Sequence, residues 1–396
     1  MRIAIVTYAL QVGGVESFIR LLAKYFISAG NEVDIIEVLK KGATADQFRE
    51  EGFTVREIFQ GNFSSAVSHA EVIGKDLQTY DAVLLNDVPA AQSALGLLRD
   101  DTAAIPVVHQ SFLQNMIDTA VQNAQNWDSV VGVGPAIRER IRQKNIKPGD
   151  IFYIPNGVEV PVSYPRVEDK GKKLSVLFAG AITHVQKGVL YLPEIIGKVL
   201  AGRSSVTFSI VGDGADLPVL KERCSPYSLD SVRFYGNIPH AEVLRMMEKT
   251  DILLFPSHFE GMPLVLLEAM SNGVVPAASY LPGCTDAVIT HDVDGFLLPI
   301  GDIAGFVEAI TALTENRERL HRLSLAAWTK IRNEFSYQET GRKYLALIES
   351  CRKKRLEFHS ERTGELDYSL LGGYPSLPRF AVRPVRRLRR LLHFER

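Results

Sequence analysis

Short apolar runs alternate with helix-length amphipathic stretches along most of this chain, and the alternation starts twice. Residues 3–8 are almost wholly apolar and lead through a glycine-containing loop into 15–28, where Phe18, Ile19, Leu22 and Phe26 fall on one helical face. Gly30 ends that helix, and 32–38 reads as the next strand. Apolar runs at 82–85, 107–108 and 130–133 continue the series. Strands apolar on both faces, separated by helices, predict a parallel sheet covered on both sides.

The pattern breaks at Ile154–Pro155–Asn156–Gly157. Pro155, Pro161 and Pro165, with the charged stretch 166–173, read as an interdomain connection. A second alternation then begins, with strand-like runs at 174–178, 206–211, 232–235, 252–255 and 274–277. No repeat of 20–50 residues is visible, which argues against a solenoid or propeller. The organisation expected is therefore α/β: a doubly wound domain over 1–165, a second over 170–336, a helix over 337–356 returning to the first domain, and a tail over 357–396.

Composition narrows this without redirecting it. The 396 residues are 46% hydrophobic and 23% charged with a net charge of −1, an ordinary globular balance with no global field for nucleic acid. Three dispersed cysteines, Cys224, Cys284 and Cys351, provide neither a disulfide framework nor zinc-ligand spacing. No run of about 18 apolar residues predicts a membrane span. Residues 1–10 lack a small-residue cleavage site and read as a strand rather than a signal peptide, so a cytoplasmic location is expected. The tail differs from the rest. Arg379, Arg383, Arg386, Arg387, Arg389, Arg390 and Arg396 interleave with apolar residues, and Val385, Leu388, Leu391 and Leu392 share a face. Such a basic amphipathic segment suits an anionic membrane surface; a solvated tail or an intersubunit contact is the plainer reading.

The strongest candidate chemistry is the stretch 257–270, Ser-His-Phe-Glu-Gly-Met-Pro-Leu-Val-Leu-Leu-Glu-Ala-Met. It follows the apolar run 252–255, Pro263 fits the first turn of a helix, and Asn272–Gly273 supplies its stop. Glu260 then lies ahead of the helix and Glu268 inside it, while free N–H groups of the first turn face the C-terminal sheet edge, where anions are favoured. Glu260 alone could complement the helix dipole, but Glu268 sits among Leu266, Leu267, Ala269 and Met270 and needs a partner. A ribose diol would provide one.

Two acids seven residues apart in this setting resemble the E-x7-E signature of retaining family 4 glycosyltransferases, which have the GT-B fold: two Rossmann-like doubly wound parallel-sheet domains facing a cleft. The resemblance covers 1–348. It implies that Gly13 and Gly14 approach the donor diphosphate, that Gly212 and Asp213 lie near the nucleotide, and that Asn237 and Ile238 touch the base. It places Gly261, Met262, Pro263, Leu264 and Glu268 in the donor site, with His109, Lys187 and Glu260 as catalytic residues: Lys187 on the diphosphate, Glu260 on the transferred sugar and His109 facing that sugar. A lysine there has a physical purpose, since the leaving group departs with negative charge. The family usually carries an arginine where this chain has Ala181. Another base then substitutes, with His184 the nearest, or donor activation is weaker, or the chain is a non-catalytic relative.

Neither Gly132–Val133–Gly134 nor Gly212–Asp213–Gly214 completes a dinucleotide fingerprint, no P-loop sequence is present, and no histidine pairing supports a metal site. The resemblance implies a metal-independent enzyme with no cofactor. It would move a sugar from a nucleotide-diphosphate sugar to a sugar or lipid-linked saccharide acceptor with retention, in bacterial envelope polysaccharide or lipopolysaccharide synthesis, cytoplasmic or peripheral on the inner membrane face. A non-hydrolysing nucleotide-sugar epimerase, a glycogen-synthase-like polymerase and an inactive binding protein are the alternatives.

Overall fold

Seven strands make the first sheet: β1 (Arg2–Thr7), β2 (Glu32–Glu37), β3 (Thr54–Glu57), β4 (Ala82–Asn86), β5 (Ala103–Val108), β6 (Val130–Gly132) and β7 (Ile151–Tyr153). Helices α1 (Gly14–Ser28), α2 (Ala45–Glu50), α3 (Ala66–Leu77), α4 (Pro89–Ser93), α5 (Gln114–Val121) and α6 (Pro135–Arg142) connect them. This computed structural model describes all residues except 111–113, 145, 147–149, 167–172, 203–204, 359–360, 372–375, 380–381 and 383–396. The strand order is β3-β2-β1-β4-β5-β6-β7, with every pairing parallel. Central strands β4 and β5 are buried along their whole length, as their unbroken apolar runs require, and α1 buries Phe18, Ile19, Leu22, Ala23 and Phe26. Strand order reverses between β1 and β4, so their crossovers leave on opposite sides. In open α/β sheets ligands bind beyond the C-terminal ends of strands at such a reversal.

The second sheet repeats the plan with six: β8 (Leu174–Ala179), β9 (Val206–Val211), β10 (Val232–Gly236), β11 (Ile252–Phe255), β12 (Val275–Ser279) and β13 (Phe296–Leu298), in the order β10-β9-β8-β11-β12-β13. Its helices are α7 (His184–Lys187), α8 (Leu192–Ala201), α9 (Leu217–Cys224), α10 (His240–Met247), α11 (Leu264–Ser271), α12 (Ile303–Glu315) and α13 (Arg317–Glu334), followed by α14 (Tyr337–Phe358). Here the order reverses between β8 and β11. The core joins Val176, Phe178, Ile195, Phe208, Ile210, Leu254 and Phe306 from sheet and helices.

The two units divide at 155/156 rather than at the proline-rich connection ending at 165. Val158 forms a bridge with Ser336 and donates its N–H to Phe335 O, which binds the segment after Asn156 to the second unit. From Thr340 onward α14 belongs with the first unit, where Thr340 Oγ1 donates to Pro155 O at 3.1 Å. Much of 357–396 is likewise not a tail. Arg362 is buried against the first unit, its guanidinium donating to the carbonyls of Arg99, Asn126 and Thr102. Burial lowers its pKa to about 10. Leu366 packs with Ala70 and Ala94, Gly96 has no room for a Cβ beside Glu365 O, and Arg379 N donates to Ser64 O. The basic residues 383, 386, 387, 389, 390 and 396 lie outside the described residues. Among the described residues no helix is long and apolar enough to cross a membrane.

Candidate functional site

In the second unit the loops after β8 and β11 rise on either side of the strand-order reversal, and each carries one charge. Lys187 ends α7, and its Nζ stands 2.6 Å from Oε1 of Glu260, with side-chain exposures of 15% and 8%. The lysine stem passes over Gly180, and its ammonium lies 5.6 Å from the centroid of Phe255. His258 fixes the two loops together. Its Nδ1–H donates to Val185 O at 3.0 Å, its N–H donates to Gln186 O at 2.8 Å, and its Nε2 accepts from the Tyr191 hydroxyl at 3.1 Å. Gly188, at φ 63°, comes so close that a Cβ would stand 2.0 Å from Pro256 O. The pair is thus held by side chain and backbone alike.

Beyond Glu260, Met262 and Leu264 are buried, and Pro263 is the N-cap of α11, one residue earlier than the first-turn place expected for it. No side chain caps that helix start, and Leu266 N already donates to Pro263 O, so donors remain ahead of it for an anion. Gly273 at φ 68° closes the helix. The glycines expected near a nucleotide from sequence are steric necessities of the loops themselves. A Cβ on Gly212 would stand 1.9 Å from Gly180 O, and one on Gly214 2.4 Å from Ile182 O, because the loops after β8 and β9 lie backbone to backbone. Ile182 N donates to Asp213 O, and Gly212 N to Gly236 O. Asp213 and Asn237 are exposed and Ile238 is half-buried.

Glu268 finds a protein partner that the sequence did not disclose: His240, first residue of α10, places Nε2 2.9 Å from Glu268 Oε1. The carboxylate is 12% exposed and the imidazole 51%. A carboxylate with one oxygen so engaged keeps acceptor sites on the other.

Ala181 is exposed, and His184, the nearest base, is half-buried. Its Nδ1 accepts from Leu190 N at 3.3 Å, and its ring packs edge-on against Tyr191 and His258. Burial, then the neighbouring His258, lowers its pKa.

The first unit carries the remaining expected residues. Gly13 is the N-cap of α1, and Gly13 and Gly14 are exposed. His109 is 6% exposed; its Nε2–H donates to Asn86 Oδ1 at 2.8 Å, and Asn86 Nδ2 donates to Val6 O at 3.1 Å. Phe18 packs edge-on at 4.9 Å. Burial lowers the imidazole's pKa to about 4, so it is neutral near pH 7. Asp87, next to this pair and at φ 55°, was not singled out from sequence. Burial raises its carboxyl to about 7. The signal available was position alone, since polar residues directly after a buried strand of a parallel sheet lie at its C-terminal edge. Among the described residues no three His, Cys, Asp or Glu side chains gather as a metal site.

Comparison with known proteins agrees with this architecture. Residues 164–329 match the family described as Glycosyl transferases group 1, and 12–160 match Glycosyltransferase Family 4. A glycogen synthase of Mycobacterium tuberculosis is 24% identical over 253 residues, 60% of this chain and 60% of that protein. The chain thus matches less than two thirds of that relative's length. The lipopolysaccharide 1,6-galactosyltransferase of Escherichia coli is 26% identical over 255 residues, 62% of this chain and 69% of that one. Among solved structures, Anabaena Alr3699/HepE in complex with UDP and glucose superposes with a TM-score of 0.73 at 17% identity, covering 88% of this chain and 100% of that chain. At that identity the likeness is one of fold.

Proposed function

This chain belongs to the group 1 glycosyltransferases and has their GT-B fold, and from that premise we propose that it transfers a sugar from a nucleotide-diphosphate sugar to a hydroxyl acceptor with retention of anomeric configuration. The observation that carries the reading is the Lys187–Glu260 pair at the β8/β11 reversal, with Glu268 one helix turn beyond the uncapped start of α11. Lys187 and the N–H groups of that start supply positive potential for a diphosphate. Glu268 accepts from the ribose diol through the oxygen His240 leaves unused. Glu260, anchored by Lys187, accepts from hydroxyls of the transferred sugar through its remaining lone pairs.

The reaction breaks the bond between the anomeric carbon and the phosphate oxygen and forms the new glycosidic bond on the same face. The acceptor proton goes to the departing phosphate oxygen, and Lys187 stabilises the charge that develops there. Electrostatic stabilisation of this kind contributes about 2.7–4 kcal/mol per well-placed donor. No metal is needed for these steps. His109, buried and neutral, holds the end of β5 against β4 and orients the acceptor side of the first unit.

An envelope saccharide or lipid-linked acceptor is favoured by the relatives' names and by charge. Residues 379–396 hold seven arginines and one glutamate, +6, so the rest of a chain of net −1 carries −7. A basic segment on an acidic body suits a peripheral position on an anionic membrane. Removal of residues after Leu377 should abolish vesicle binding and leave nucleotide binding intact; unchanged partition would end the membrane proposal. The reaction itself is tested by calorimetry with UDP-, GDP- and ADP-sugars, followed by NMR of the product anomer. No binding by any donor refutes the function, and inversion refutes retention.

A further inference from the structure

Lys187 ends a helix of only four residues, α7, none of them buried, so core packing does not hold the turn in place. Two backbone bonds close it, from Lys187 N to Thr183 O and from Gly188 N to His184 O, and Thr183 at its N-cap adds no side-chain bond. One such turn is far below the length at which a helix persists in water. It is gripped from outside instead, at each of the three residues ahead of the lysine. His184 N donates to Asp216 Oδ2 at 2.6 Å, Val185 O accepts from His258 Nδ1 at 3.0 Å, and Gln186 O accepts from His258 N at 2.8 Å. Asp216 comes from the loop after β9 and His258 from the loop after β11.

Asp216 is the N-cap of α9, where aspartate is among the strongest capping residues, yet its side chain makes no bond to that helix and reaches His184 instead. The far end of the His258 ring is held by the Tyr191 hydroxyl, which donates to Nε2 and so keeps the proton on Nδ1, toward Val185. What the gripped turn presents is the Lys187 ammonium. A cation on a flexible stem stabilises developing charge well only when its position is set before the reaction. We propose that His258 and Asp216 are positioning residues for Lys187, fixing the 184–187 turn so that the ammonium meets the terminal phosphate of a nucleoside diphosphate. They act through the turn and not on the ligand. This rests on the transferase reading above.

Calorimetry with UDP, GDP and ADP, each against its monophosphate, provides the test. For a pair that the unaltered chain binds, the ratio of the two affinities measures what the terminal phosphate gains, and Lys187→Ala sets its value without the ammonium. His258→Ala and Asp216→Ala should each lower the ratio by about 5–10-fold, the partial loss of one charge-assisted hydrogen bond. In a Lys187→Ala background neither should lower it further. His258→Asn, whose amide nitrogen takes the place of Nδ1, and Asp216→Asn, which keeps an acceptor oxygen, should recover most of it. Trp328 fluorescence in a Trp127→Phe background, one tryptophan lying in each unit, checks that the second unit of every variant is folded during titration. Should an alanine variant be unfolded, Tyr191→Phe, which frees only Nε2, should still lower the ratio by about 2–3-fold. A purely structural role would weaken diphosphate and monophosphate alike. An unchanged ratio in the folded variants, or the same fall with and without Lys187, overturns the proposal. The two readings fail separately: if no nucleoside diphosphate binds the unaltered chain, the transferase function falls, whereas binding with a ratio indifferent to His258 and Asp216 defeats only the positioning role.

Discussion

Lys187 Nζ and Glu260 Oε1 stand 2.6 Å apart, on loops that leave β8 and β11 where the second sheet changes direction. Neither charge is solvated enough to stand alone, so each is the other's counterion before any ligand arrives. On the proposed reading, a diphosphate would meet an ammonium already held by the His258 clasp, with part of the reorganisation done in advance.

Lys187→Ala should therefore have two separable effects. Turnover falls by about 10²–10³-fold, as for loss of one preorganised transition-state donor. Stability of the second unit, followed through Trp328 in a Trp127→Phe background, falls by roughly 2 kcal/mol or more because Glu260 is left buried and unpaired. Lys187→Ala with Glu260→Ala should cost less stability than the two singles added, and a double-mutant cycle measures the difference. Near-normal turnover in Lys187→Ala would remove the lysine from the mechanism.

His240 should act through Glu268 on the ribose. Its Nε2 bond to Oε1 holds the carboxylate in place, which lowers the ordering cost of binding. His240→Ala is expected to weaken UDP binding by about 5–10-fold, the worth of one charge-assisted hydrogen bond discounted for exposure. A 2′,3′-dideoxy analogue should lose far less. If both ligands weaken equally, the histidine supports the loop and does not position the carboxylate.

Two glycines at comparable places on the donor loops should behave in opposite ways. Gly212→Ala puts a Cβ 1.9 Å from a backbone carbonyl that cannot swing aside, so the β8 and β9 loops must separate. Loss of about 2–3 kcal/mol and of nucleotide binding is expected. A Cβ on Gly236 meets nothing within 4 Å, so Gly236→Ala costs only its φ of 68°, about 1–2 kcal/mol, and should still bind nucleotide. Equal loss in both would mean that backbone conformation, not loop contact, sets the need for glycine.

Those contrasts show where the sequence was readable. The apolar runs located β1, β4, β6 and the E-x7-E helix within a residue or two, because strands buried on both faces leave an unbroken record, whereas β5, Ala103–Val108, was read only at its last two residues. β3, Thr54–Glu57, has only half-buried and exposed residues and leaves none. The division, read at 165, falls at 155/156, because prolines mark turns without saying which unit holds them. Arg362 fell within the stretch read as a tail, for a charged residue there does not disclose that it will be buried against three carbonyls. Asp87, Asn86 and His240 were invisible for another reason. Their partners are 23 to 28 residues away or absent, so spacing holds no trace of them.

Asp87 and His109, each beside or bonded to Asn86, make the last prediction, since burial moves them in opposite directions. His109 has a folded pKa of about 4 against about 6.5 in an unfolded chain. The unfolded state therefore binds its proton first, and stability from this group is full above pH 6.5 and lost as pH falls towards 4. Asp87, at about 7 against about 3.9, does the reverse: its contribution is full below pH 4 and lost as pH rises through 7. Each span is about 3–4 kcal/mol at 1.36 kcal/mol per unit. In the unaltered chain the two slopes largely offset between pH 4 and 6.5, and single substitutions expose them. With Trp127 as reporter, urea unfolding of Asp87→Asn should show a first unit more stable than normal at pH 8, with the gain shrinking towards pH 5. His109→Gln should lose least on acidification, relative to its own value at pH 8. The carboxyl is thus expected to weaken the fold at neutral pH. If Asp87→Asn is no more stable than the unaltered chain at pH 8, burial does not hold the carboxyl near 7.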